Sequence, residues 1–188
     1  MTGGTFSIAL VHYPVYDKNR QIVATAVTNL DIHDIARAAR TFGADSYYVV
    51  TPVIEQQRLV TRVADHWQSG WGAGYNPKRK MALDLLRVMP DLAAVTEDMQ
   101  IRHGRKPLVV VTGASGRKGA VTDRELAARI RENRESFLFL FGTGWGMTEE
   151  IFDAADLVLA PINGCGDYNH LSVRSAVSIY LDRIFGSR

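Results

Sequence analysis

The chain has a single cysteine, Cys165, among its 188 residues. Without a second thiol an internal disulfide is excluded, and a reducing compartment is expected. No apolar run reaches the roughly 18 residues that a membrane-spanning helix needs. The N-terminal segment MTGGTFSIALVHYPV has no basic region of the kind that begins a signal peptide. We therefore predict a soluble, cytoplasmic protein with no membrane partner.

The chain also lacks an excess of charge of either sign, because 22 Lys and Arg against 20 Asp and Glu leave a net charge of +2. This balance does not by itself indicate nucleic-acid binding. Basic residues do cluster locally in NPKRK (76–80), RHGRK (102–106) and GRKG (116–119). Such runs are usually solvated surface, so a functional interpretation needs support from other features.

No internal repeat, low-complexity tract or linker interrupts the sequence. Its length and its 46% of hydrophobic residues suit one compact domain with a sizeable core, and we expect residues 1–188 to form it. The segment most typical of an irregular loop is HWQSGWGAGYNPKRK (66–80), which mixes aromatic residues, small residues and cations.

Short segments rich in β-branched and aromatic residues alternate with segments of helical periodicity. This alternation predicts an α/β fold, in which a mainly parallel sheet carries helices on both faces. The predicted strands are 7–13, 46–51, 92–96, 108–112, 137–141 and 157–160. Capping residues and apolar spacing predict helices at 31–43, at 76–89, after the capping box of Thr122 and Glu125, after Thr148, and at 171–185.

Two glycine-rich segments follow predicted strands but do not fit phosphate-binding motifs. TGASGRKG (112–119) lacks the Gly-Lys-Ser/Thr ending of a Walker A loop. In GTGWGM (142–147) the third glycine comes one residue too early for the dinucleotide fingerprint GxGxxG. Thr112 and Gly113 nevertheless stand where an α/β sheet presents its ligands, at the carboxyl ends of the strands.

Taken together, GTGWGM and the later LVLAPINGCGDYNHLSVRSAVSIYLDRI (157–184) resemble the SPOUT class of S-adenosylmethionine-dependent RNA methyltransferases. The order HYPVYDKN, TNLDIHDIARAARTFGA, GYNPKR, TGAS and GTGWGM is similar to that of a small bacterial family of predicted RNA methyltransferases, over nearly the whole chain. The resemblance implies a deep C-terminal trefoil knot, S-adenosylmethionine as cofactor, no metal, and a homodimer whose active sites are built across two subunits.

The resemblance also implies which residues hold the cofactor. The ligand carries no phosphate, so close approach of backbone to an adenine and a methionine explains the glycines. A role in the strand core is an equal alternative for Leu140 and Phe141. The implied cofactor-binding residues are Thr112, Gly113, Leu140, Phe141, Gly142, Gly144, Trp145, Gly146, Ile162, Gly164, Leu171 and Ser172.

A further motif of the class, Asn followed by Arg and then Gly at intervals of six, is matched at Asp31, Arg37 and Gly43 with aspartate in place of asparagine. The resemblance makes Arg37 the candidate for activating a ribose 2′-hydroxyl. Its alternatives are a phosphate clamp and a solvent-facing position, since arginine is a poor base. Asp167 is the candidate general base for methylation of a base nitrogen, with an ordinary loop aspartate as the alternative. Ser172 also departs from the class, which has asparagine there.

These features predict methyl transfer to the ribose 2′-oxygen or a base nitrogen of tRNA or rRNA. The alternative is a module of the same fold that binds RNA or regulates without transferring a methyl group. The segment 66–80 would contribute to either function, because its aromatic residues and cations offer stacking faces and phosphate contacts. Tryptophans there are, however, more often part of a core or a dimer interface. The residues concerned are Trp67, Trp71, Tyr75, Lys78, Arg79 and Lys80.

Overall fold

The computed structural model describes residues 4–166 and 168–187. The strands are β1 (Thr5–Val11), β2 (Val15–Tyr16), β3 (Ile22–Val23), β4 (Tyr47–Val50), β5 (Leu86–Met89), β6 (Leu108–Val111), β7 (Ser136–Gly142) and β8 (Leu157–Val158). The helices are α1 (Asn29–Thr41), α2 (Ile54–Gln68), α3 (Trp71–Tyr75), α4 (Pro77–Leu83), α5 (Leu92–His103), α6 (Asp123–Glu132), α7 (Glu149–Asp153) and α8 (Val173–Phe185).

The strands form a six-stranded sheet in the order β5-β4-β1-β7-β6-β8, and a separate hairpin joins β2 to β3. Every neighbouring pair in the large sheet is parallel. Residues of β1 alternate between the two faces, since Ile8 and Leu10 pack with α1, α6 and α8, whereas Ala9 and Val11 pack with residues of α5 and α7. The predicted α/β fold with helices on both faces is therefore confirmed.

The prediction of a strand at 92–96 is wrong. This segment forms the first turns of α5, because Asp91 accepts a hydrogen bond from the Ala94 amide and caps the helix. Val95 and Met99, four residues apart, are its buried residues. A five-residue apolar run does not by itself distinguish a strand from a buried helical face, and the short run LAAVT hid that spacing.

The predicted helix at 76–89 is correct only at its start. Asn76 caps α4 as expected, but the helix ends at Leu83, and β5 then pairs with β4. The predicted loop at 66–80 is also wrong, because it contains the end of α2, all of α3 and the start of α4. Helix α2 was not predicted. Its single fully buried residue is Val60, so the sequence carries only a weak apolar stripe there.

Helix caps are partly as predicted. The capping box of Thr122 and Glu125 is confirmed, and α8 begins one residue after Ser172, whose hydroxyl accepts from the Ser175 amide. Helix α1 begins earlier than expected, because Thr28 caps it. Thr148 precedes α7, but its hydroxyl makes no capping hydrogen bond. No helix in the described ranges is both long enough and apolar enough to cross a membrane.

The protein should lose stability in acid through His12, which is fully buried just after β1. Its Nδ1 lies 3.0 Å from the Thr25 hydroxyl, and burial lowers its pKa to about 4 although Asp31 opposes the shift. The unfolded state, with an ordinary pKa of 6.5, binds more protons between those values. The stabilising effect of neutral, buried His12 is therefore complete above pH 6.5 and is lost as the pH falls through 4.

We expect urea unfolding to show about 2–3 kcal/mol less stability from this group at pH 4.5 than at pH 7. Because carboxylates also titrate in this range, the quantity to compare is the difference between the wild type and His12→Gln. An identical pH dependence in both proteins would show that His12 is not responsible.

Candidate functional site

A cavity of about 900 Å³ opens beside the carboxyl ends of β6 and β7. Its size lies within the roughly 300–1,000 Å³ that is usual for small-molecule and cofactor sites. Loops after β6 and β7 form two of its walls, and the segment leading into α8 forms a third. Parallel strands deliver their following loops to the same edge of the sheet, so these distant segments meet there.

Most of the predicted cofactor residues line this one cavity. Leu140 does not, because it is buried in the sheet core, and Gly164 lies in the exposed loop before α8, outside the lining. The predicted residues that do line the cavity are Thr112, Gly113, Phe141, Gly142, Gly144, Trp145, Gly146, Ile162, Leu171 and Ser172.

The glycine-rich loop after β7 is held against the β2–β3 hairpin. The Trp145 amide donates to the Tyr16 carbonyl at 2.9 Å, and the Tyr16 amide donates to the Gly146 carbonyl at 2.8 Å. Gly144 has φ +57°, and a Cβ there would lie 2.9 Å from the Tyr16 carbonyl oxygen. Glycine is therefore needed at position 144 because of a close contact within the chain, and not only because of the predicted contact with a ligand.

Gly146 has the open surroundings that a ligand needs. Its φ is +99°, and a Cβ added there would meet no atom within 4 Å, although the residue lines the cavity. Phe141 and Ile162 add apolar surface to the walls. Exposed backbone beside apolar side chains fits the uncharged adenine of S-adenosylmethionine, and the residues present therefore fit this cofactor.

The arginines of the cavity are already paired with carboxylates. Arg117 donates two hydrogen bonds to Glu149, at 2.6 and 2.9 Å, and Arg20 lies 3.8 Å from the same carboxylate. Hydrogen bonding from Arg117 lowers the pKa of Glu149. The Arg117 guanidinium also lies 3.6 Å from the centre of the Phe152 ring. Arg117 of the GRKG segment thus forms part of the cavity wall, and its pairing with Glu149 fits a ligand without phosphate.

The aspartate that replaces the asparagine of the class is paired with an arginine from the other end of the chain. Asp31 is 5% exposed, and Arg174 Nη1 donates to its Oδ1 at 2.6 Å. The Thr28 hydroxyl donates to its Oδ2, also at 2.6 Å. Both Asp31 and Arg174 line the cavity, so this pair joins α1 to α8 at its edge. Arg174 was not predictable from the sequence, because 143 positions separate it from Asp31.

Replacing Arg174 with alanine should reduce the free energy of unfolding by about 1–3 kcal/mol, because a nearly buried carboxylate loses its counter-charge. The arginine is partly exposed, so the loss should stay below that of a fully buried pair. Combining Arg174→Ala with Asp31→Asn should recover part of the loss in a double-mutant cycle followed by urea unfolding. Strictly additive effects would show that the two charges do not interact.

Of the two predicted catalytic residues, the structure describes only Arg37, which does not line this cavity. Arg37 is exposed and lines a second cleft of about 640 Å³, formed by α1, α2 and α4. Asp167 lies outside the described residues. Its neighbours Asn169 and His170 line the first cavity, and Asn169 Nδ2 donates to the Ala114 carbonyl at 3.1 Å. In the described part of the chain, no cluster of three or more His, Cys, Asp or Glu side chains could hold a metal ion.

Sequence comparison identifies relatives over almost the whole chain. A family model described as SAM-dependent RNA methyltransferase matches residues 5–186. An uncharacterised protein of Aquifex aeolicus (strain VF5) is 41% identical over 178 residues, covering 95% of this chain and 87% of that protein. A tRNA (guanine-N(1)-)-methyltransferase of Nitratidesulfovibrio vulgaris is 41% identical over 184 residues, covering 98% of this chain but 43% of that protein.

Solved structures of low sequence identity share the fold. The SpoU methyltransferase AviRb from Streptomyces viridochromogenes, in complex with AdoMet, has a TM-score of 0.61 at 14% identity, covering 98% of this chain and 58% of AviRb. The TrmH/SpoU tRNA modifying enzyme of A. aeolicus has a TM-score of 0.56 at 14% identity, covering 98% of this chain and 74% of that enzyme. The fold is thus that of the SPOUT methyltransferases. Together with the family match, this shows that the chain belongs to the family of S-adenosylmethionine-dependent RNA methyltransferases.

Proposed function

We propose that this protein methylates RNA with S-adenosylmethionine bound in the cavity beside β6 and β7. The observation that carries the proposal is the convergence of three distant loops on one cavity whose arginines are already paired with carboxylates. The bound cofactor supplies a methyl group activated by its sulfonium. The protein has to orient the donor, keep water out and accept a proton from the acceptor nucleotide.

We propose tRNA as the substrate to test before rRNA. The support is the Nitratidesulfovibrio vulgaris relative, whose name specifies tRNA. That protein is more than twice as long as the matched region, since the chain spans 43% of it. The guanine-N1 activity in its name belongs to the longer protein. Whether the acceptor atom is a ribose oxygen or a base nitrogen is tested by comparing the activities of Arg37→Ala and Asp167→Asn.

We further propose that Arg37 acts on the RNA and not on the cofactor of its own subunit. It lines the second cleft and does not line the cofactor cavity. A guanidinium stays protonated at physiological pH, so it suits a phosphate or a developing negative charge. In a homodimer with sites built across two subunits, Arg37 would serve the partner's cavity.

We propose that residues 1–188 form a single methyltransferase domain that dimerises and has a knotted C-terminal end. Large apolar side chains are exposed near the cavity at Leu30, Trp145 and Leu171, which supports an interface there. The segment before α8 lies against the loop after β6 through Asn169 and Ala114, and α8 itself packs against α1 and α6. These contacts support the proposal that the C-terminal segment passes through an earlier loop and forms a knot.

Titration calorimetry should detect binding of S-adenosylmethionine and of its demethylated product, with no comparable heat from NAD or ATP. Gly144→Val is a poor test of the site, because a side chain there would clash with the Tyr16 carbonyl oxygen in the absence of any ligand. Ala176→Trp is better, since Ala176 lies on α8 and lines the cavity. A bulky ring there should weaken cofactor binding at least tenfold, which is about 1.4 kcal/mol.

Ser178→Trp is the matched control, because Ser178 is an exposed residue of the same helix outside the cavity lining. It should bind the cofactor as the wild type does. Tight NAD binding by the wild type, or equal affinity for S-adenosylmethionine in both tryptophan variants, would contradict the proposed cofactor site.

A further inference from the structure

The second cleft collects cations from three helices. Arg37 of α1, Arg62 of α2 and Arg79 of α4 all line it. Within the ranges that the structure covers, none of these three side chains forms an ion pair with a carboxylate. The one carboxylate that lines the cleft, Asp34, lies 3.6 Å from Nε of Arg174. The cleft therefore has a larger surplus of positive charge than the cofactor cavity, whose lining arginines are all paired with carboxylates.

A partly buried histidine at the base of the cleft indicates the same positive potential. His33 Nδ1 is buried without a hydrogen-bond partner. Burial is the main cause that lowers the pKa of this imidazole; the charges of Arg79 and Arg37 lower it further, whereas that of Asp34 opposes the shift. The Nδ1 atom of His33 is therefore available to hydrogen-bond with a ligand in the cleft.

A pair of stacked aromatic rings stands beside the cleft on helix α3. Trp71 and Tyr75 have ring centres 4.7 Å apart with planes inclined by 20°, and the two residues are 73% and 71% exposed. Helix α3 packs tightly on the cleft wall, because a Cβ at Gly72 would lie 2.7 Å from the Trp67 ring. The exposed aromatic faces are thus carried by a helix that packs against a wall of the cleft.

The residues of segment 66–80 that were predicted to contact RNA do not all have the same role. Trp67 is packed against the core, and the Arg79 guanidinium lies 4.6 Å from its ring centre. Lys80 is paired with Asp84 at 2.9 Å. Trp67 and Lys80 are therefore held by contacts within the chain. The exposed aromatic pair on α3 and the three arginines that line the cleft are accessible to a ligand.

The cleft adjoins the cofactor cavity across the first turns of α1. The Arg174 guanidinium contacts Asp31, which lines the cavity, and approaches Asp34, which lines the cleft. A ligand held in the cleft would therefore lie next to a wall of the cofactor cavity. A docking site for the substrate is useful only at such a distance.

We infer that this cleft and the Trp71–Tyr75 pair form a docking site for the RNA substrate, in which the arginines bind backbone phosphates and the aromatic pair stacks an unpaired base. The inference rests on the proposed function. Guanidinium groups bind phosphate through two parallel hydrogen bonds, and exposed aromatic rings stack any base regardless of sequence. The combination of three guanidiniums that pair with no carboxylate in the described ranges and a stacked aromatic pair fits single-stranded or looped RNA.

The test is the affinity of the protein for a fluorescently labelled, unmodified tRNA transcript, measured by anisotropy over a range of salt concentrations. The variant Arg62→Ala should weaken binding about tenfold and reduce the salt dependence by the equivalent of one phosphate, a slope change of about 0.7–0.9. The double variant Trp71→Ala/Tyr75→Ala should weaken binding at least tenfold without changing that slope. Affinity for S-adenosylmethionine should be unchanged in both.

Arg58→Ala is the matched control, because Arg58 is an exposed arginine of α2 that pairs with Glu55 and does not line the cleft. It should bind tRNA as the wild type does. Equal affinity for tRNA in all variants would overturn the docking site. So would sedimentation showing that the variants dissociate a dimer, because the surface would then be a subunit interface.

Failure of the docking site and failure of the proposed function have different signatures. A wild type that binds tRNA through these residues but transfers no methyl group supports the docking site and refutes the methyltransferase activity. A wild type that methylates tRNA, together with an Arg62→Ala variant of equal affinity and equal salt slope, refutes the docking site alone.

Discussion

A chain that ends before Leu171 is expected not to fold, because α8 completes one face of the core. Helix α8 contributes four buried apolar or aromatic side chains to this core, and each such side chain stabilises a protein by about 1.5–3 kcal/mol. The loss of four of them approaches the about 5–15 kcal/mol that is the whole stability of a typical domain. Phe185 also stacks on Phe6 of β1, with ring centres 3.7 Å apart. The buried residues of α8 are Val177, Tyr180, Leu181 and Ile184.

Solubility, circular dichroism and cofactor calorimetry measure the outcome. Deletion of residues 186–188 is the control, because it leaves α8 complete, and that protein should fold and bind S-adenosylmethionine. A soluble chain that lacks residues 171–188 and still binds the cofactor would refute both the structural role of α8 and the proposed knot.

The second large effect is expected at Arg37. If the acceptor is a ribose hydroxyl, Arg37→Ala should lower kcat, measured at saturating tRNA, by about 10²–10⁴ while cofactor affinity stays nearly unchanged, and Asp167→Asn should be mild. If the acceptor is a base nitrogen, the ranking should reverse, because a carboxylate must then take the proton. We expect the first result. The measurement is the initial rate of methyl incorporation into tRNA.

Arg40→Ala is the control for Arg37→Ala, because Arg40 is an exposed arginine of the same helix that does not line the cleft. Full activity in both Arg37→Ala and Asp167→Asn would exclude either residue as the catalytic group. Loss of activity in Arg40→Ala would show that any loss of charge on α1 is harmful, and the result at Arg37 would then not be specific.

Mixed dimers test whether Arg37 serves the partner's cavity. Subunits carrying Arg37→Ala keep a working cofactor cavity, and subunits carrying Ala176→Trp keep a working arginine. If each active site takes its arginine from the other subunit, mixing and reassociating the two inactive proteins should restore activity, because each mixed dimer contains one complete site. No restoration in dimers that demonstrably exchange subunits would place both residues in the same subunit's site.

The sequence predicted the cofactor cavity better than the surface around it. Strand ends such as Thr112 and the glycine-rich loop after β7 are local signals, and a parallel sheet necessarily brings them to one edge. The pairing of Asp31 with Arg174 was not predictable in this way, since it depends on α8 returning across the chain to α1.

The second cleft escaped prediction for a different reason. Helix α3 is five residues long, and α2 has a single fully buried residue, so neither has the strong apolar period that marks a helix in sequence. The glycines among the aromatic residues of 66–80 suggested a loop instead. The aromatic residues there were identified correctly as notable, but only the folded chain separates the structural Trp67 from the exposed Trp71 and Tyr75.

The most direct test of the methyltransferase function uses the purified protein, S-adenosylmethionine with a labelled methyl group, and tRNA and rRNA from a strain that lacks the gene. Digestion to nucleosides and mass spectrometry then identify any methylated product. We predict that the label enters tRNA at one type of nucleoside, and that this nucleoside is missing from the tRNA of the deletion strain. A protein that binds the cofactor but transfers no methyl group to either RNA would contradict the function proposed here.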